Sequence, residues 1–138
     1  VWEESQIIDE KHRYLFRGTD PAYMTGDIAM IKQSIRIFVQ NAAKYSSDGA
    51  DITLGVMLES GYVSYMIQDE GIGMESSDVV HIFERFYRSD EARNSETGGS
   101  GLGLSIAKWI VDAHSGTIQV VSRPEIGTRF IVRFPMCE

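Results

Sequence analysis

Two pairs of alternating apolar runs constrain the fold of this chain more than any other feature. Apolar side chains recur at every second position in residues 52–58 and again in residues 63–67, and the turn "ESG", residues 59–61, lies between the two runs. Residues 117–122 and 128–134 form a second pair, joined by "RPEIG". A period of two is typical of strands, and short connections containing Gly favour hairpins. The sequence therefore predicts a sheet that is mostly antiparallel.

A long helix is predicted before the first of these pairs. Asp27 can cap its start, and "SSDG" ends it, with Gly49 able to adopt the left-handed conformation that often follows a helix. Apolar residues recur there at spacings of three and four, as one helical face requires. That face consists of Ile28, Ile31, Ile35, Phe38, Val39 and Ala42.

Two further helices are predicted between the strand pairs. The first covers "SDVVHIFERFY", with Phe83 and Phe86 in the core. The second covers residues 101–115 and ends at Gly116, and one of its sides carries Leu102, Ile106, Ile110 and Ala113. Strands are also predicted at 12–18 and, as a short piece, at 22–24. The main elements then follow the order β, α, β, β, α, α, β, β, which indicates an α+β fold and not the βαβ alternation of dinucleotide-binding proteins.

Composition excludes several classes of function. The chain has 138 residues and a formal net charge of −7, which argues against a general affinity for nucleic acid or anionic membranes. Its one cysteine, Cys137, allows no disulfide within the chain. His12, His81 and His114 have no second His or Cys at the spacing of metal ligands, so a zinc site has no support.

Two glycine-rich stretches are candidates for ligand binding. "DEGIGM", residues 69–74, directly follows a predicted strand, and "GGSGLGL", residues 98–104, opens a predicted helix after a polar segment. Glycine lets an anion approach backbone N–H groups closely, and a helix N-terminus favours negative charge. Taken alone, "DEGIGM" is better interpreted as an ordinary turn, and "GGSGLGL" is equally compatible with a flexible hinge. "GGSGLGL" is not a phosphate-binding Walker loop, because no Lys-Ser/Thr pair follows it, and it is not a dinucleotide-binding fingerprint, because a polar loop and not a strand precedes it.

The first helix offers a second group of candidates beside its apolar face, formed by Ile37, Asn41, Lys44 and Tyr45. An amide oxygen such as that of Asn41 suits Mg²⁺, and Lys44 can neutralise phosphate. The ring of Tyr45 offers a flat surface to a base. The alternative is an ordinary solvated helix face, which for Lys44 and Tyr45 taken singly is the better interpretation.

Five stretches together resemble a known family. "QNAAKYS", "DEGIGM", "IFERFYRSD", "GGSGLGL" and "GTRFIVRFP" occur in this order at natural spacings. They are similar to the N box, first glycine box, F box, second glycine box and third glycine motif of the catalytic, ATP-binding domain of bacterial sensor histidine kinases. The similarity covers about residues 27–135. It implies a Bergerat-type fold, a two-layer sandwich in which three helices cover one face of a mostly antiparallel, mixed sheet.

The resemblance also implies roles for particular residues. Asp69 would accept a hydrogen bond from the adenine amino group, and the backbone at Gly71 and Gly73 would pass under the base. The other residues implied in the nucleotide pocket are Tyr45, Ile72, Met74 and Thr128. Asn41 would hold Mg²⁺ between the phosphates of ATP, with Lys44 and Arg88 beside them. Residues 88–100 would form an ATP lid, and Gly99, Gly101, Leu102 and Gly103 would cradle phosphate oxygens.

One position departs from the family pattern. Kinases of this type usually carry a second Asn four residues before the Mg²⁺-binding one, and hydrolytic relatives carry a Glu there that activates water. This chain has Ile37, which cannot take a proton and so argues against efficient ATP hydrolysis. Two alternatives remain open. One is a hydrolytic ATPase or serine-directed kinase of the same superfamily, and the other is a degenerate docking module that transfers no phosphate.

The resemblance further implies partners that lie outside this sequence. The phosphoacceptor His of such kinases lies on a separate dimerisation hairpin and is normally followed by an acid, a pattern that His12, His81 and His114 do not show. We therefore expect residues 1–11 to be a linker from that hairpin and residues 12–138 to be the catalytic domain. The expected partners are the hairpin and a response regulator. We expect this piece to be a monomeric cytoplasmic domain of a homodimeric, membrane-anchored sensor.

Overall fold

A computed structural model of the chain describes residues 13–17, 26–47, 49–59, 61–84 and 103–135. It contains β1 (Arg13–Arg17), α1 (Ile28–Tyr45), β2 (Asp51–Glu59), β3 (Tyr62–Asp69), α2 (Ser76–Val79), α3 (Gly103–Ala113), β4 (Thr117–Arg123) and β5 (Gly127–Pro135). The predicted order of main elements is confirmed. The predicted strand at 22–24, Phe86 and the proposed lid lie outside the described residues. None of the helices in the described part is long and apolar enough to cross a membrane.

The five strands form one sheet in the order β1-β2-β3-β5-β4. The β2–β3 and β4–β5 hairpins are antiparallel, as their alternation predicted, and β3 also pairs antiparallel with β5. Only β1 runs parallel to its neighbour β2, because α1 crosses over between them. The sheet is therefore mixed but mostly antiparallel, which confirms the predicted α+β class.

Aromatic contacts hold α1 onto the middle of the sheet. Phe38 is fully buried, and its ring centroid lies 4.7 Å from that of Phe130 on β5 and 6.2 Å from that of Tyr65 on β3. Tyr65 is buried as well, and its hydroxyl lies 2.8 Å from the hydroxyl of Ser34. Ser34 in turn donates to the carbonyl of Ile31, so Tyr65 is the donor in the first bond. Burial of these rings on one face of the sheet positions the C-terminal half of α1 over the end of β3 and the start of β5.

Asp27 caps α1 as predicted, since its carboxylate accepts from the backbone N–H of Met30. The other end differs from the prediction. The helix ends at Tyr45 with Ser46 in an extended conformation, whereas Gly49 adopts its positive φ of 84° three residues later, in the turn that leads to β2. Gly49 therefore shapes the connection and does not cap the helix.

Ile37 was expected beside the core, but it is only 7% exposed and belongs to the core cluster. The predicted face of α1 was too narrow because the helix packs on two neighbours, the sheet and α3. Phe38, Val39 and Ala42 are buried as expected, and Ile31 and Ile35 pack against the same core.

The remaining helices also correct the sequence-based predictions. The predicted helix at 77–87 is described as far as residue 84, and within that part only residues 77–79 are helical, in a helix that begins at Ser76. Residues 80–84 form turns and a bend that still bring Phe83 onto the core. In α3 the predicted face is rotated: Ile106 is 44% exposed and Ala113 is exposed, whereas Ala107, Ile110 and Val111 are buried. The apolar residues of α3 form two overlapping faces. The face that carries the small side chain of Ala107 is the one buried in the core.

Candidate functional site

The segment that follows β3 is held between the end of α1 and the β4–β5 turn. The N–H of Ile72 donates to the carbonyl of Tyr45, the last residue of α1, over 3.2 Å. The carbonyl of Ile72 accepts from the N–H of Glu125 over 2.7 Å, and the N–H of Met74 donates to the Ser122 hydroxyl over 2.9 Å. These bonds bring residues 70–74 together with the C-terminal turn of α1, although the two lie far apart in the sequence.

Both glycines of "DEGIGM" are required by close approach of other backbone segments. A Cβ on Gly71 would overlap the carbonyl oxygen of Tyr45. Gly73 has a φ of 66°, and a Cβ there would overlap the carbonyl oxygen of Arg123. A side chain at either position would push the segment away from its neighbours. The glycines thus allow three chain segments to meet at one place.

Asp69 is the buried acid at the centre of this arrangement. It is only 6% exposed, and its carboxylate accepts hydrogen bonds from the backbone N–H groups of Gly71, at 2.9 Å, and Thr128. Burial raises the pKa of this carboxyl to about 6, although the two N–H donors act in the opposite direction. A carboxylate has about four acceptor positions and these bonds use two, so Asp69 can still accept from a ligand.

A hydroxyl pair next to Asp69 was not predicted as a unit from the sequence. The hydroxyls of Ser122 and Thr128 lie 2.8 Å apart, and Ser122 also lies 3.2 Å from the carbonyl of Gly127 while accepting from Met74. Thr128 was predicted as a pocket residue, and it is buried directly beside Asp69 in the β3–β5 register. Ser122 was missed. Nothing local marks it, because its contacts come from a turn and a segment remote in the sequence.

The last turns of α1 carry Asn41, Lys44 and Tyr45, which are all partly buried. The Nζ atom of Lys44 lies 5.9 Å from the centroid of the Tyr45 ring, within the range of a cation–π contact. Asn41 lies one turn before Tyr45 on the same helix. The structure therefore places an amide, a cation and an aromatic ring on the last turns of α1, whose final carbonyl contacts the "DEGIGM" segment.

The N-terminus of α3 approaches α1 at Ile37, which lies one helical turn before Asn41. A Cβ placed on Gly103 would lie 3.6 Å from the Cγ2 atom of Ile37. Ile37 thus faces the start of α3 with an apolar side chain. Four other predicted site residues, Arg88, Gly99, Gly101 and Leu102, lie outside the described residues.

A groove of about 610 Å³ runs along the other side of the same strand ends. Gln68, Val121 and Arg129 line it, and Gln68 and Arg129 alternate along their strands with buried Ile67 and Phe130. The groove therefore opens largely on the face that no described helix covers, although Asp69, Ser122 and Thr128 also line it at the strand ends. We do not assign the nucleotide to it, because the side chains of α1 lie on the opposite face.

Comparison with known proteins identifies the family. Residues 26–138 match the family described as histidine kinase-, DNA gyrase B- and HSP90-like ATPases. The chain belongs to this family. It is 39% identical over 134 residues to the sensor histidine kinase YkoH of Bacillus subtilis, covering 97% of this chain and 29% of YkoH. It is 36% identical over 130 residues to the sensor protein CiaH of Streptococcus pneumoniae, covering 93% of this chain and 29% of CiaH.

A solved structure agrees with this assignment. The mycobacterial sensor histidine kinase MprB superposes with a TM-score of 0.86 at 28% identity, and the match covers 97% of this chain and 90% of that one. The predicted resemblance is therefore confirmed, and the chain is a catalytic ATP-binding domain of the sensor histidine kinase type. It spans less than a third of the length of the curated relatives named above.

Proposed function

We propose that this domain binds Mg²⁺-ATP and transfers the γ-phosphoryl group to a His on a separate dimerisation hairpin. The observation that carries the proposal is the buried carboxylate of Asp69. Two backbone N–H groups orient it, and further acceptor positions stay open for a donor. An adenine amino group is such a donor. The carbonyl that guanine has at the same place would instead face the carboxylate and be repelled.

The rest of the adenine pocket would come from residues that meet around this carboxylate. Tyr45 supplies a ring at the end of α1, and Met74 is a partly buried apolar side chain packed against the core. Gly71, Ile72 and Gly73 supply the backbone between them, and Thr128 adds a hydroxyl. A flat, partly apolar ligand with one polar edge fits this combination better than a small anion does.

The phosphates and Mg²⁺ would lie between α1 and the start of α3. Asn41 offers the amide oxygen that Mg²⁺ accepts, and Lys44 offers a positive charge. Among the described residues no group of three or more His, Cys, Asp or Glu could hold a metal. Mg²⁺ would then take its other ligands from phosphates and water, as is usual for this ion. Arg88 and the N–H groups of Gly99, Gly101, Leu102 and Gly103 complete the proposed phosphate site, with residues 88–100 as its lid.

Phosphoryl transfer needs positioning and charge neutralisation more than a base on this domain. Ile37 is buried and apolar, so it can neither activate a water molecule nor leave room for one. This favours transfer to a protein acceptor over hydrolysis. A docking module without activity is disfavoured, because such a module has no need for a buried carboxylate that keeps acceptor positions unused by the protein.

The acceptor hairpin would belong to the same full-length protein, joined through residues 1–11, and residues 12–138 would form the catalytic domain. A response regulator would take the phosphoryl group from the hairpin. We further propose that this domain lies in the cytoplasm and that the full-length protein is a membrane-anchored homodimer.

Titration of the 138-residue chain with non-hydrolysable ATP and GTP analogues, with and without Mg²⁺, tests nucleotide binding. We expect Mg²⁺ to strengthen binding of the ATP analogue, and the GTP analogue to bind at least about tenfold more weakly. Equal affinity for both analogues would contradict the role of Asp69.

Labelled ATP tests the transfer step. The chain alone should stay unlabelled, and it should label the hairpin of its own full-length protein when that hairpin is added separately. The label should be acid-labile, as phosphohistidine is. Acid-stable label would support the serine-directed alternative, and release of free phosphate without protein label would support a hydrolytic ATPase.

A further inference from the structure

His114 joins the C-terminal end of α3 to the N-terminal end of α1. Its Nδ1 atom lies 2.8 Å from the carbonyl oxygen of Ile110, and its Nε2 atom lies 3.0 Å from the backbone nitrogen of Asp27. A carbonyl can only accept and an amide N–H can only donate. The imidazole must therefore carry its proton on Nδ1 and accept at Nε2. Both ring nitrogens are used, so the ring is held in one tautomer.

This contact lies at the opposite end of the helix pair from the contact between Ile37 and Gly103. The two helices run antiparallel, because the start of α1 meets the end of α3 and the middle of α1 meets the start of α3. The two helices also pack along their length, since Ile37 on α1 and Ala107 on α3 belong to the same buried core, and His114 adds a directional hydrogen bond at one end of the pair. His114 supplies the hydrogen-bonded end of this pair.

The register of these helices matters because both lead into the proposed nucleotide site. α1 carries Asn41, Lys44 and Tyr45 in its last turns, and α3 begins at Gly103, where the proposed phosphate-binding glycines end. We propose that His114 is a positioning residue for nucleotide binding, which sets the distance between these two halves of the site through its bond to the Asp27 N–H. This inference rests on the proposed function, since it assumes that the nucleotide bridges α1 and α3.

Ring packing is the competing explanation for His114. Its ring meets Phe134 edge-on, with centroids 6.3 Å apart and an interplanar angle of 83°. His114→Phe keeps an aromatic ring of similar size and loses the acceptor. His114→Gln loses the ring, but its amide oxygen reaches about as far from the backbone as Nε2 does and can accept from Asp27. The two variants therefore separate hydrogen bonding from packing.

We expect His114→Phe to weaken binding of the Mg²⁺-bound ATP analogue to the 138-residue chain by about threefold to tenfold, the worth of one net hydrogen bond. His114→Gln should bind within about twofold of the unmodified chain. Trp109→Phe, at an exposed position of the same helix, is the control and should change nothing. All variants are compared at a temperature where circular dichroism shows them folded.

Nitrogen-15 NMR of the His114 ring gives a second readout on the unmodified chain. It should show the proton on Nδ1, together with slow exchange of the Asp27 amide. A proton on Nε2 would overturn the proposal, as would normal binding by His114→Phe or equal weakening in both His114 variants. If the unmodified chain binds no ATP analogue, the proposed function fails and this inference with it. If the unmodified chain binds and only the variant pattern is wrong, this inference alone fails.

Discussion

Asp69→Asn should stabilise the ligand-free domain at neutral pH while weakening its affinity for ATP. The carboxylate is buried, and burial holds its pKa near 6, compared with 3.8 for an ordinary Asp. A buried group with a raised pKa is better tolerated in its protonated, neutral form. The amide of Asn has nearly the same shape and is neutral at every pH. The substitution therefore removes a charge that the fold accommodates poorly.

The size and the sign of the effect follow from the difference between the two pKa values. Between about pH 4 and pH 6 the unfolded chain ionises Asp69 before the folded chain does, so the free energy of unfolding falls as the pH rises. Two pKa units correspond to at most about 3 kcal/mol. Below about pH 4 both states hold the proton, and Asp69→Asn should match the unmodified chain. Above about pH 6 the variant should be more stable by up to about 3 kcal/mol.

Urea unfolding of both proteins at several pH values from 4 to 7 measures this difference, and the titration of other carboxylates cancels between them. Glu70→Gln, at the exposed neighbouring position, is the control and should show no such pH dependence. At pH 7 the ATP analogue should bind Asp69→Asn about tenfold to a hundredfold more weakly, because a donor replaces an acceptor that faces the adenine amino group. A stability difference that stays constant from pH 4 to pH 7 would refute the electrostatic argument.

Three other substitutions test the packing around the site, each by urea unfolding. Gly73→Ala should destabilise the domain by about 1–3 kcal/mol more than Gly49→Ala, because both glycines have positive φ but only Gly73 faces a close backbone oxygen; equal losses would mean that φ alone matters. Ser122→Ala should cost about 1–3 kcal/mol by removing an acceptor from a backbone N–H, and unchanged stability would contradict that bond. Tyr65→Phe should cost about 1 kcal/mol through the lost bond to Ser34 and leave ATP affinity unchanged, whereas weaker affinity would place Tyr65 closer to the nucleotide.

Local patterns in the sequence were sufficient for the strands. Alternation in residues 52–58 and 63–67 predicted both the hairpin and its buried face, because a strand has only two faces and a slip of one residue would exchange them. The acid and glycines of "DEGIGM" were visible as a turn at the end of a strand, but local reasoning gave them no more than that. Their proposed roles came from the order of five motifs along the chain, which together resemble one family.

The tertiary structure decided which side of α3 is buried and how wide the buried face of α1 is. Ile106 and Ile110 are equally apolar, yet α3 turns the first outward and the second inward because α1 occupies one particular side. Ile37 was predicted to lie beside the core, but it is buried in the core. A helix that packs against two neighbours has a buried face wider than one row of apolar residues. The spacing of apolar residues predicts the width of the buried face of a helix only when the number of elements that pack against that helix is known.

Contacts between remote segments were likewise beyond the sequence. Ser122 is one serine among several until the β4–β5 turn brings its hydroxyl to the Met74 N–H, and His114 is an ordinary helix-terminal histidine until Asp27 approaches its ring. The close approach at Gly73 depends on the carbonyl of Arg123 in the same way. A hydrogen bond or a steric overlap depends on a distance, and for residues far apart in the chain only the packing of helices on the sheet sets that distance.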